Sequence, residues 1–168
     1  MKLNKIITLA LLSSVAAAPA LAVDAQWFVG AGVGYQDDSI KGINQNGEDA
    51  TYQLRGGAIL DDNHRLMATY GYMDKNDQHM FLGSYDYLYP LSDNVNFVAG
   101  ASMGTSKSKI DNKSSTDFVW GGQVGVMYEF NSNVSTEIMY RYLDQDYKEN
   151  DIKLTDSQQI VWSVDYRF

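Results

Sequence analysis

The sequence predicts an all-β protein, an eight-stranded antiparallel up-and-down barrel that crosses a membrane. Three observations predict it. Eight stretches alternate apolar and polar residues at the two-residue period of a strand with two unlike faces. The connections between them alternate between short turns and longer polar segments. The seven charged residues inside the eight stretches all fall on the same face.

The N-terminus comes first. Lys2 and Lys5 precede an apolar run from Ile6 to Leu12, and "SSVAAAPALA" follows. A charged start, a short apolar core and the small-residue site Ala20-Leu21-Ala22 predict a secretory signal over 1–22, cut before Val23. As a membrane helix the run is too short, because spanning takes about 20 apolar residues. The remaining 23–168 forms one domain. Loss of Lys2 and Lys5 leaves 11 basic against 21 acidic residues, a net charge of −10. Such an excess of acid argues against nucleic acid as a partner and against a polybasic lipid anchor. The chain has no cysteine, so an exported domain here is stabilised without disulfides. No later segment offers 18 uninterrupted apolar residues, and a membrane crossing must therefore be built from strands.

The strands read, in order, as "WFVGAGVGY" (27–35), "YQLRGGAIL" (52–60), "LMATYGY" (66–72) and "FLGSYDYLY" (81–89). "VNFVAGASM" (95–103), "FVWGGQVGVMYEF" (118–130), "VSTEIMYRY" (134–142) and "IVWSVDYRF" (160–168) complete the set. Most approach the nine to eleven residues, roughly, that a tilted strand needs to cross a bilayer. "DDNH", "PLSDN" and "NSN" make short turns after strands two, four and six. Segments 36–51, 104–117 and 143–159 read as long polar loops, and 73–80 as a shorter one.

One face carries the aromatics and aliphatics, including Trp27, Tyr87, Tyr89, Trp120 and Tyr128, which suit interfacial girdles. The other carries Arg55, Asp86, Glu129, Glu137, Arg141, Asp165 and Arg167, with Leu82 and Leu88 on the charged side of strand four. Nine of the 14 glycines share that polar face. Eight strands enclose a bore that side chains just fill, so long charged residues pointing inward need small neighbours. A soluble, lipocalin-like barrel would invert the faces. Alternation by itself does not say which face is wet, but those glycines on a solvent face would weaken strands without return.

"WFVGAGVGY" near the start, eight strands, and "VWSVDYRF" at the end resemble the OmpA-like and OmpX-like family of small outer-membrane barrels across 23–168. The resemblance implies the Gram-negative outer membrane, both termini periplasmic and long loops extracellular. It implies that the last strand, through Trp162, Val164, Tyr166 and Phe168, signals to the barrel-assembly machinery, with periplasmic chaperones as earlier partners. Outer-membrane lipid and lipopolysaccharide are implied as surroundings. The chain departs from full-length OmpA in lacking a peptidoglycan-binding domain, so wall anchoring is not carried over.

The expected function is a structural envelope barrel with its lumen filled by charges. Glu137 and Arg167 are expected to pair, with Arg141, Asp165, Glu129 and Gln123 completing a network. A surface adhesin contacting host ligands and a narrow porin are the alternatives. A lipid-modifying enzyme would need a nucleophile and base within reach of one another. His64 and His79 are the only histidines, fall at opposite ends of the barrel and read as solvated loop residues; His79 with Asp74 or Asp77 is the remaining catalytic candidate. No catalytic set, cofactor site or metal-ligand spacing emerges, so no enzyme activity is expected.

Overall fold

The computed structural model describes residues 24–41, 47–73, 78–110, 113–145 and 153–168. The expected leader over 1–22, together with Asp74 and Asp77, lies outside the described residues. Eight strands run in chain order: β1 Ala25–Lys41, β2 Gly47–Leu60, β3 His64–Met73, β4 Gln78–Ser92, β5 Val95–Ile110, β6 Lys113–Glu129, β7 Val134–Gln145 and β8 Lys153–Arg167. Each pairs antiparallel with its neighbours, and β1 pairs with β8 to close the barrel. At that seam Phe28 lies opposite Arg167, and Phe168 N–H donates to Trp27 O at 2.9 Å.

The strands are longer than the sequence reading had them. Much of 36–51, 104–117 and 143–159 is ladder rather than loop, with Asp38 opposite Gly47, Ser106 opposite Asp117 and Asp144 opposite Asp156. Backbone pairing continues beyond the apolar band, where side chains need no longer be apolar on either face, so hydropathy loses the strand before hydrogen bonding does. The rim opposite the termini is uneven as a result. Among the described residues, hairpin β5–β6 rises to the pair Ile110 and Lys113, whereas the last pair of β3–β4 is Met73 and Gln78.

The terminal rim is built from tight turns. Asp61 and Asp62 both adopt positive φ, 49° and 60°, as the two central residues of a primed hairpin turn require. Aspartate tolerates that region better than most side chains, and Asp62 is held by Gln26 Nε2 at 2.9 Å. Asn63 then fastens the turn to β4, donating through Nδ2 to Leu88 O at 2.8 Å and accepting from Leu88 N–H at 2.7 Å. At β6–β7, Asn131 Oδ1 accepts from the N–H groups of Asn133 and Val134, both at 2.9 Å.

Alternation decides the two faces. Outward lie Val29, Leu54, Tyr70, Phe81, Tyr85, Met103, Trp120, Val126, Ile138 and Trp162, all exposed. Ala58 shares that face but is covered, because Trp27 and Leu66 flank it across the ladder. Inward lie both polar and apolar groups, the apolar ones gathered in two clusters. Near the terminal rim, Phe28, Ile59, Met67, Leu88, Val98, Met127 and Met139 form one buried cluster, and seven of the eight strands contribute to it. Towards the opposite rim, Met73, Met80, Leu82, Val119 and Leu143 form a second, drawn only from β3, β4, β6 and β7.

Candidate functional site: the barrel lumen

Interleaved with the first of these clusters lies a network of ion pairs: Arg65 precedes Met67 on β3, and Glu137 lies opposite Met127. Arg55 grips Asp165 with both arms of its fork, Nε to Oδ1 at 2.7 Å and Nη2 to Oδ2 at 2.5 Å. Its Nη1 reaches Glu137 Oε1 at 2.9 Å. Arg65 takes the other Glu137 oxygen at 2.6 Å and holds Asp86 Oδ2 through Nε at 3.0 Å. Glu137 thus bridges two guanidinium groups, all of them buried. Gln123 Nε2 donates to the remaining Asp86 oxygen. Its Oε1 accepts from Arg141 Nε and from Ser102 Oγ, each at 2.7 Å.

Two glycines make room for these acids. A Cβ on Gly30 would collide with the Asp165 carboxylate, and one on Gly100 with that of Asp86. The polar-face glycines are therefore part of the site: the neighbouring strand vacates the volume into which each carboxylate folds. Burying charge is costly unless charge of the opposite sign or hydrogen bonds compensate it. Arg55, Arg65 and Arg141 against Asp86, Glu137 and Asp165 make the layer neutral.

All seven charged residues named from sequence face the lumen, but their partners differ from expectation. Glu137 does not pair with Arg167, whose Nη2 goes instead to Glu129 Oε1 at 2.8 Å. Glu137 lies opposite Ser163, four residues from Arg167, about 13 Å along the strand. The Arg167–Glu129 pair belongs to the terminal mouth, where Asn96 also donates to Glu129 at 3.1 Å. Arg141 meets Gln123 and no carboxylate. The strongest omission is Arg65, which is buried and doubly ion-paired. It fell between the "DDNH" turn and a strand started two residues late. Arg65, Met67, Thr69 and Gly71 continue the inward phase, and extending the alternation by one residue would have found it.

The histidines are not loop residues. His64 opens β3 on the outward face, with Nδ1 2.7 Å from Tyr85 OH and its ring stacked on Tyr85. His79 sits on β4 beside Tyr70 OH, again 2.7 Å from Nδ1. Because His79 is opposite Tyr72, the two imidazoles lie about 27 Å apart along the hairpin. They cannot serve one catalytic centre. Among the described residues no group of three or more His, Asp or Glu could hold a metal ion. Trp27, Tyr87, Tyr89 and Tyr128 point outward near the terminal rim and Trp120 near the other, leaving an apolar belt between aromatic edges.

A closed barrel with that belt outside and neutralised ion pairs inside is an integral transmembrane β-barrel, because only a medium without water rewards such an inversion. The chain belongs to the outer membrane protein β-barrel domain family, whose model matches residues 7–168. Among solved structures it is similar to the Neisserial surface protein A, at 18% identity and a TM-score of 0.70, covering 86% of this chain and 99% of that one. It is also similar to outer membrane protein H from P. aeruginosa, at 25% identity and 0.63, covering 85% and 99%. The Ail protein of Yersinia pestis aligns at 13% identity and 0.54, covering 86% and 99%. No curated protein matches. Family membership places the protein in the Gram-negative outer membrane.

Proposed function

We propose that the protein is a closed, non-enzymatic envelope barrel: a structural outer-membrane component that passes no ions. The observation that carries this reading is the filled bore, with neutral ion pairs interleaved with an apolar cluster to which seven strands contribute. Its surroundings are then outer-membrane lipid and lipopolysaccharide against the aromatic edges. Planar-bilayer recordings of the purified protein should show no steady conductance. A reproducible open pore whose ion selectivity changes in Arg55→Gln or Glu137→Gln variants would replace this reading with a narrow porin.

The same reading takes 1–22 as a cleaved leader, the termini as periplasmic and the tall hairpins as extracellular. The mass of the exported protein and epitope-tag access in intact cells check those three points. The exposed alternating set Trp162, Val164, Tyr166 and Phe168 is assigned to recognition by the assembly machinery. Deleting Phe168 should lower the amount of inserted barrel while export continues. Wild-type amounts of folded barrel under limiting expression would refute the assignment.

An adhesin is the second reading, and one observation favours it: among the described residues the β5–β6 ladder continues past its last pairs with β4 and β7. Loss of host-surface binding when 104–117 is replaced by a short turn, with the barrel intact, would establish it.

A further inference from the structure

Strands of a closed barrel are tilted, so residues paired across neighbouring strands do not share a height. A line of paired outward residues starts at Val29 and passes through Gly83 on β4 and Asp144 on β7. It returns to β1 ten residues further on, at Ser39. Each strand crossed therefore lifts the line by about one and a quarter residues. With that climb included, five outward groups fall within about two residues of one height, just beyond the aromatic edge away from the termini. They are segregated by sign. Asp37, Asp144 and Asp156 lie on β1, β7 and β8, whereas His79 and Lys107 lie on β4 and β5, across the barrel. Asp144 and Asp156 face one another directly, and like charges so placed repel. Among the described residues neither these aspartates nor Lys107 form an ion pair.

The apolar belt is uneven on the same two sides. At mid-height on β7 and β8, Ile138, Tyr140 and Trp162 stand out, all exposed. Tyr140 OH donates to Gln158 Oε1 at 2.9 Å, and Trp162 Nε1 donates to Thr136 Oγ1 at 2.8 Å. Their polar atoms are satisfied within the barrel, so these rings can sit in hydrocarbon, away from the interfaces that tyrosine and tryptophan otherwise favour. At the same height on β2, β3 and β4, Gly56, Ala68 and Gly83 pair in a row and carry at most a methyl group. The β3–β4 ladder is four strands from β7–β8, half the way round. A ridge under acidic groups thus stands opposite a hollow under basic ones.

We propose that the protein associates side by side with copies of itself in the membrane, the β7–β8 ridge of one barrel against the β2–β4 hollow of the next. A neighbour related by translation alone brings Trp162 towards the row of Ala68 and Gly83. The same translation sets Asp144 and Asp156 beside His79 and Lys107, with no shift along the membrane normal. In lipid, apolar surface alone does not drive association; close packing and polar contacts do, and here both are matched. A lipid phosphate would answer the basic side and be repelled by the acidic one, whereas a second copy answers both. Because the two faces lie on opposite sides of the barrel, the contact is heterologous and does not close, so it builds rows instead of pairs. It holds whether or not the bore conducts.

The chain contains no cysteine, so introduced thiols report contacts without background. Phe81→Cys on β4 and Ile160→Cys on β8 mark the two faces, and both positions are exposed. Each variant, and an equal mixture of the two, would be folded into phosphatidylcholine vesicles without lipopolysaccharide, with a metal chelator present, and treated with bismaleimidoethane. Gel mobility without boiling verifies folding. The mixture should give about fivefold more cross-linked dimer than either variant alone, and the double variant should give a ladder of larger species. Lys107→Glu or Gly83→Leu in the Phe81→Cys partner should each lower the mixed yield about threefold. The fold accommodates Gly83→Leu, because a Cβ there meets only Met103 O, at 3.9 Å. Equal yields from the mixture and the single variants, or no cross-linked species in any sample, would overturn the proposal. Cross-linking that appears only when lipopolysaccharide and calcium are supplied would overturn it in favour of a lipid bridge.

Discussion

Replacing Glu137 with glutamine should destabilise the folded barrel by about 3–5 kcal/mol, the cost of leaving buried charge uncompensated. Glutamine keeps the size and removes the charge that Arg55 and Arg65 share at 2.9 and 2.6 Å. Neither arginine can turn to water, because both are buried. The urea midpoint for folding into lipid vesicles, followed by gel mobility without boiling, measures the loss. Arg167→Gln is the control. Its partner Glu129 is a quarter exposed in its side chain, and a solvent-screened pair of this kind contributes about 0–1 kcal/mol. Equal effects from the two substitutions would mean that the layer is not the barrel's electrostatic centre.

Phe28→Ala should cost about 3–5 kcal/mol by the same assay, since it opens a cavity in the apolar cluster near the terminal rim. Its neighbours Ile59, Met67 and Leu88 are fixed on paired strands and cannot collapse into the space. Trp120→Ala removes a larger ring from the outward face, where lipid refills the volume. It should unfold near the wild-type midpoint and change chiefly the dependence on bilayer thickness. A Phe28→Ala barrel as stable as wild type would show that the bore tolerates voids. The apolar cluster could then not be a close-packed seal.

Fold class and strand count were legible because period-two alternation survives in every membrane-crossing segment. Which residues face inward was legible for the same reason: the charged set Arg55 to Arg167 obeys one phase. What the sequence hid were relations between strands. Register decides that Glu137 lies level with Ser163 rather than Arg167, and no local pattern carries register. The strand ends above the apolar belt were misread as loops because polar side chains there obscure continuing backbone pairs. Arg65 was lost to a boundary error of two residues. The histidines were misassigned because each tyrosine partner comes from the neighbouring strand, 21 residues after His64 and nine before His79.

The β1–β8 seam has a consequence in time. Every other ladder joins strands that are consecutive in the chain, and each can zip from its own turn. The seam alone joins Phe28 to Arg167 and Lys41 to Lys153, so ring closure must wait until all the intervening strands have been placed. Its entropic cost grows only as the logarithm of the intervening length, but its rate suffers as long-range pairing does. Throughout that interval β1 and β8 each present an unpaired edge to any other chain nearby. The most dangerous moment for this protein is thus its last step of folding, and anything that lengthens it trades a monomer for an aggregate.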